Sequence, residues 1–183
     1  MKLVLEFVPF KDEKDYADFS QLAFDPKVME MNFGRVFTKE EAQAFFQGMV
    51  SLNRSQDMLP GYCKVLLCKN EKAGGDAWVI PASPCFIGMC GMNWNEEYKG
   101  VEIEYMLLPE YWHQGLGTEI VRRMLAYLET SRIFENKNTE RTVIAITDPG
   151  NKASEKILRK FGFSCEKTYT VSDGSMARLY RKN

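Results

Sequence analysis

Apolar and polar positions along this chain alternate or recur in blocks that read as short strands and amphipathic helices. Residues 3–9 predict a strand. Residues 11–23 carry Tyr16, Phe19, Leu22 and Ala23 at helical spacing, and Asp25-Pro26 interrupts that helix. Thr38-Lys-Glu-Glu41 matches a capping box and opens a helix with Ala42, Phe45, Phe46 and Met49 on one face. Residues 62–68 predict a strand. Residues 71–84 hold Gly74-Gly75-Asp76, Pro81 and Pro84, which predicts a long hairpin connection with a short extension at 78–80.

Residues 85–94 are apolar on both alternating faces, as in a central strand. A turn at 95–100 leads to a strand over 101–107, stopped by Pro109. A helix is expected from Gly117 to about Ile133, with Ile120, Val121, Met124, Leu125 and Leu128 inward. A polar loop, a β-rich run at 142–147 and the turn Asp148-Pro-Gly-Asn151 follow. The next helix faces Ala153, Ile157, Leu158 and Phe161 inward and ends at Gly162. Strands near 164–171 and 175–181 flank a turn at 172–174. The order predicts an α/β (α+β mixed) fold, a mixed sheet flanked by about four helices, with residues 1–183 as a single domain.

The length of 183 residues suffices for a real core. A formal net charge of −1 gives no reason to expect nucleic acid or an anionic membrane as partner. No apolar run approaches a membrane span, and the N-terminus lacks a signal-peptide layout, so a cytoplasmic location is expected. Cys63, Cys68, Cys85, Cys90 and Cys165 lack the spacing of a zinc site, and His113 is the only histidine. They read as buried, reduced thiols, and no metal is expected.

Chemistry is expected where the strand at 101–107 meets the turn Gly115-Leu-Gly117 and a helix. A glycine turn lets phosphates approach the backbone, and first-turn amides have no intrahelical partner. A lone Gly-x-Gly is weak evidence. It gains weight from a second strand–turn–helix unit that carries Asn151, Ser154, Lys160, Gly162 and Phe163.

With Tyr111-Trp-His-Gln-Gly-Leu-Gly-Thr-Glu119 and Asn151-x-x-Ser154 to Phe163, the chain resembles the GCN5-related N-acetyltransferase (GNAT) superfamily. Its likeness is to the ribosomal-protein N-terminal acetyltransferase (RimJ/RimL-like) branch. Asp25-Pro26-Lys-Val28, Thr38-Lys-Glu-Glu-Ala42 and Phe86-Ile-Gly-Met-Cys-Gly-Met92 support the match. Trp112 stands where the wider family has Gln or Arg, and the branch shows an aromatic there too.

The resemblance implies a mostly antiparallel sheet splayed at the cofactor site. It implies acetyl-CoA as co-substrate, an amine acceptor, and a monomer or homodimer. Backbone amides of His113, Gln114, Gly115, Leu116, Gly117 and Thr118 would hold the pyrophosphate. Backbone at Met106, Leu107 and Leu108 would pair with the pantetheine arm, and Asn151 and Ser154 would reach the cofactor from the opposite wall. The acceptor is a protein N-terminus or a small-molecule amine.

An alkylammonium must lose a proton before it attacks. Glu102 and Glu104 share one side of their strand, and either serves as base, directly or through water. Glu102 falls where the branch often has Glu; Glu104, where it often has Gly, is also an acidic wall for a cationic acceptor. The alternative is that one or both face solvent or pair with Lys or Arg. Many family members carry an acidic tyrosine where this chain has Leu158, so Ser154 substitutes or CoA leaves as thiolate. No cysteine sits beside a base, which favours direct attack in a ternary complex. Leu158 also keeps open a catalytically weak acyl-CoA-binding sensor or partner protein.

His113 is expected to face solvent and Asp148 to cap a turn. Lys152, Arg159 and Lys160 either neutralise the cofactor's 3′-phosphate or form a solvated face. Tyr62, Trp78, Trp94 and Tyr98 read as hairpin-base packing more than as acceptor-pocket walls. Residues 28–37 and 71–84 are expected on the acceptor side.

Overall fold

A computed structural model describes residues 4–55, 58–68, 84–137, 140–171 and 174–183. The predicted extension at 78–80, Trp78 and nearly all of the 71–84 connection lie outside the described residues, as do residue 3 and the turn positions 172 and 173.

Among the described residues seven strands form one sheet: β1 (Val4–Pro9), β2 (Gly61–Cys68), β3 (Cys85–Asn95), β4 (Gly100–Leu107), β5 (Val143–Thr147), β6 (Ser164–Thr170) and β7 (Met176–Lys182). Their order is β1-β2-β3-β4-β5-β7-β6. Five neighbouring pairs are antiparallel. The β4–β5 pair is parallel and registers only at Val101↔Val143 and Glu102↔Ile144. Beyond Glu102 the two strands part, so the middle of the sheet opens into a wedge.

Among the described residues there are six α-helices, against the four expected: α1 (Tyr16–Ala23), α2 (Pro26–Phe33), α3 (Lys39–Ser55), α4 (Leu116–Thr130), α5 (Ile133–Asn136) and α6 (Lys152–Lys160). Asp25-Pro26 ends one helix and starts another. The Asp25 carboxylate accepts from the Val28 amide at 3.0 Å, and Pro26 occupies the first turn, where a missing N–H costs nothing. The helix expected to reach Ile133 stops at Thr130, and α5 follows. The capping box forms: Thr38 Oγ1 accepts from the Glu41 amide at 3.2 Å, and Glu41 accepts from the Thr38 amide at 2.8 Å.

Two apolar clusters cover the sheet. One gathers Val101 and Ile103 of β4 with Ile120, Val121, Met124 and Leu128 of α4 and Leu158 of α6. The other gathers Phe10, Phe19, Leu22, Phe46 and Met49 beneath α1–α3. All five cysteines are free thiols. Cys63, Cys68 and Cys90 are buried and Cys85 half-buried, but Cys165 is exposed, because every β6 residue except Tyr169 lies open to solvent. Ala153, expected inward, is also exposed, on the face of α6 that borders the wedge.

Candidate active site

The wedge between β4 and β5 is part of a cavity of about 910 Å³. One wall is β4 from Glu102 to Leu107; the other is Ala145–Thr147 of β5 with the start of α6. The turn before α4 closes one end, and Met31, Asn32 and Phe33 of α2 border the other side. Part of the acceptor-side segment expected from the sequence therefore does line the cavity.

At the α4 end, Gly115 has φ +77° and forms the cap without a side-chain hydrogen bond. A left-handed residue at this point turns the chain so that the first α4 amides face outward. His113 also has a positive φ, 60°, and its side chain is exposed, as expected. His113, Gly115, Leu116, Gly117 and Thr118 line the cavity. The Gln114 side chain turns back to the Glu110 carbonyl at 2.6 Å.

On β4, the Leu108 amide donates to the Ile87 carbonyl of β3 at 3.0 Å. Strand alternation then turns the Leu107 amide and carbonyl toward the wedge. The Trp112 indole N–H donates to that carbonyl at 2.7 Å. Of the three backbone positions expected to pair with a pantetheine arm, Leu108 thus spends its amide on β3. By the same alternation Met106 faces β3 as Leu108 does, and of the three only Leu107 turns its amide to the wedge.

Glu102 and Glu104 both line the cavity, and both are held by neutral groups. Asn95 Nδ2 donates to Glu102 Oε2 at 2.8 Å. The Tyr62 hydroxyl donates to Glu104 Oε1 at 2.8 Å, and the neighbouring Asn93 side chain also favours the ionised form of Glu104. Burial raises the Glu102 carboxyl above its ordinary range. Burial, helped by the Glu102 charge, raises Glu104 to about 7, against the pull of the Tyr62 hydrogen bond and the nearby Asn93 side chain. No lysine or arginine is among the groups that shift either one.

Tyr62 reaches Glu104 from two strands away. The register places Tyr62 opposite Gly91 and Gly91 opposite Glu104. A Cβ at Gly91 would lie 2.7 Å from two Tyr62 ring carbons, so the bare glycine lets the ring cross β3. Sequence reading weighed Tyr62 only as a packing or pocket residue and did not single out Asn93. Gly91 within an apolar strand was the available signal of a close approach.

On the opposite wall, Asn151 caps α6, accepting from the Ser154 amide at 3.0 Å. The Ser154 hydroxyl lies 3.0 Å from that of Tyr105, a β4 residue the sequence reading passed over. Burial raises the Tyr105 phenol to about 12. Leu158 is fully buried in the core and brings no polar group to the cavity. Asp148 accepts from the Gly150 amide, the turn role expected of it. Glu155 pairs with Lys152 at 3.2 Å and with Arg159 at 3.0 Å. Lys152, Lys156 and Lys160 line the cavity. Trp94 and Tyr98 lie away from it, under Lys137 and Lys167 respectively.

Among the described residues no group of His, Cys, Asp and Glu is placed to hold a metal ion. No helix among the described residues is long and apolar enough to cross a membrane.

Comparison with known proteins bears on what such a wedge holds. The profile of the acetyltransferase (GNAT) domain matches residues 5–164. An uncharacterised Bacillus subtilis protein, YkkB, is 26% identical over 160 residues, covering 82% of this chain and 84% of its own length. A Salmonella typhimurium acetyltransferase described as modifying the N-terminal serine of ribosomal protein L7/L12 superposes with a TM-score of 0.63 at 18% identity. The match covers 100% of this chain and 95% of that one. The aminoglycoside acetyltransferase AAC(6')-Ib, solved in complex with coenzyme A, also gives 0.63, at 15% identity, with the same coverage.

Proposed function

Because this chain belongs to the GNAT acetyltransferase family, we propose that it moves the acetyl group of acetyl-CoA to a primary amine by direct attack in a ternary complex. We read residues 1–183 as one domain for that purpose. Glu104 carries the reading: a carboxylate in the wall of the wedge, raised to about 7 and held by the Tyr62 hydroxyl.

The chain's own groups suit the cofactor. The amides from Gly115 to Thr118 at the start of α4, with backbone at His113 and Gln114, donate to a pyrophosphate at the positive end of the helix dipole. Leu107 offers a backbone amide along the wedge, Met106 lines it, and Asn151 and Ser154 face it from α6. Lys156 and Lys160 supply positive charge at the cavity rim. When bound, acetyl-CoA supplies an acyl group activated as a thioester.

Glu104 accepts the proton of the incoming ammonium. A base near 7 is about half ionised at neutral pH and near its best driving force for proton transfer. It lies within about a unit of an α-amino group, near 8, and about three units from a lysine-type amine. That match, with the likeness to the ribosomal branch, makes a protein or peptide N-terminus the preferred acceptor over a small-molecule amine. Glu102 keeps the site negative and raises Glu104. Burial pushes the Cys63 thiol up to about 12 and the Cys90 thiol well up, which suits neither to a covalent acyl-enzyme.

The test is CoA thiol release from acetyl-CoA across short peptides with different N-termini, polyamines, free amino acids and aminoglycosides. Release well above the acceptor-free background for one class is the expected result. Tight acetyl-CoA binding with no release for any amine would favour the sensor reading instead.

A further inference from the structure

The wedge contains a second pair of polar side chains that the base chemistry does not use. Tyr105 rises from β4 and Ser154 from the first turn of α6, and their hydroxyl oxygens are 3.0 Å apart. The pair therefore bridges the two walls that the β4–β5 splay separates. The Tyr105 ring is also confined at its side: a Cβ at Gly117 of α4 would lie 3.6 Å from Tyr105 Cε2. Both residues line the cavity, Tyr105 on the β4 wall and Ser154 on the α6 wall, where the buried Leu158 contributes no hydroxyl.

Building on the acyl-transfer reading, we infer that Tyr105 is a positioning residue: its hydroxyl donates to Ser154 Oγ and turns the Ser154 proton into the wedge, as a hydrogen-bond donor to the thiolate of departing CoA. The phenol is the more acidic hydroxyl and so the better donor. Burial keeps it protonated across the working pH range. A serine oxygen that accepts from Tyr105 has its own proton left for another acceptor.

The chemistry also fixes what this pair does not do. Attack by the amine nitrogen forms the carbon–nitrogen bond and breaks the carbon–sulfur bond. The electron pair goes to sulfur. Glu104 passes the ammonium's proton to solvent and then takes the second proton, which the nitrogen sheds as the amide forms. A thiol titrates near 8.5 and a phenol near 10, with serine higher still. Full proton transfer from either hydroxyl to the thiolate runs uphill, so the pair stabilises the sulfur's charge by a hydrogen bond and leaves its protonation to solvent.

The test uses free CoA and needs no acceptor. CoA bound to the protein is titrated from about pH 6 to about pH 10 through the ultraviolet absorbance of its thiolate. Bound to the native protein, the thiol titrates about one pH unit below its free value. Tyr105→Phe and Ser154→Ala each return most of that difference, the double variant returns no more than either alone, and Ser154→Thr keeps part of it. In turnover, Tyr105→Phe lowers kcat about tenfold and leaves KM for acetyl-CoA in place. Calorimetric CoA binding by each variant shows that its site has folded. A native-like thiol titration in Tyr105→Phe, or additive effects of the two substitutions, overturns the inference. An unshifted thiol in CoA that does bind overturns it alone, whereas absence of CoA binding by the native protein brings down the acyl-transfer reading as well.

Discussion

Replacing Glu104 by Gln should make the protein more stable and nearly inactive. The Glu104 carboxyl titrates at about 7 in the fold instead of the usual 4.5. The folded state therefore holds this proton more tightly than the unfolded chain does. Its contribution to stability is full below about pH 4.5 and is lost as pH rises toward 7. At about 1.4 kcal/mol per pKa unit, keeping the side chain ionised in the fold at about pH 8 costs about 3 kcal/mol. Contact with solvent at the cavity wall reduces this to about 1–3 kcal/mol. Glutamine fits the same space, still accepts from Tyr62, and carries no charge to desolvate. Melting temperatures by calorimetry should rise by about 3–10 °C in Glu104→Gln at about pH 8 and change little at about pH 4. Turnover should fall about 10²–10⁴-fold while acetyl-CoA binding persists. An equal gain at both pH values, or no gain at the higher one, refutes the burial argument. Unchanged turnover refutes the base assignment.

The Tyr62 hydrogen bond favours ionised Glu104, so Tyr62→Phe should move the acid limb of the kcat/KM profile upward by about one pH unit. The Glu102 charge opposes that ionisation, so Glu102→Gln should move the same limb downward; two shifts of one sign would break the assignment of these neighbours. Gly91→Ala places a methyl against the Tyr62 ring and should cost about 1–3 kcal/mol in urea unfolding, with an acid limb displaced as in Tyr62→Phe. His113→Gly removes a left-handed non-glycine residue and should stabilise by about 0.5 kcal/mol net of glycine's added chain entropy, measured by the same denaturation.

Local signals in the sequence led to most of the elements. The inward stripe of α4, the Thr38–Glu41 capping box and the apolar run of β3 are all read from residues within one or two turns of each other, and each stands where periodicity and capping put it. Asp25-Pro26 does end the first helix as expected, but the helix it opens was missed, because a proline that stops one helix is equally fit to start the next. The site was legible in part. Glu102, Glu104, the glycine turn and Ser154 could be singled out as candidates, and they line one cavity. What holds them was not legible. Tyr62 and Glu104 are 42 residues apart, and Tyr105 and Ser154 are 49 apart. Such contacts depend on strand register across β2, β3 and β4 and on the angle at which β4 leaves β5, which no short window of sequence contains.

The Trp112 indole on the Leu107 carbonyl has a consequence for how this sheet avoids unwanted company. Strand edges that offer a row of free amides and carbonyls recruit strands from other molecules. The outer edge strand β6 carries charge, with Glu166 and Lys167 side by side and exposed. The wedge between β4 and β5 exposes an edge in the middle of the sheet, along β4 beyond Glu102. There the indole takes an acceptor from the row, and α4 and α6 stand close together, with Gly117 against Ile157. A complete polypeptide strand meets a broken ladder in a narrow slot, while a slender arm with one or two amides does not need the missing rung. The opening that admits a ligand is thereby screened against domain swapping and sheet-to-sheet aggregation.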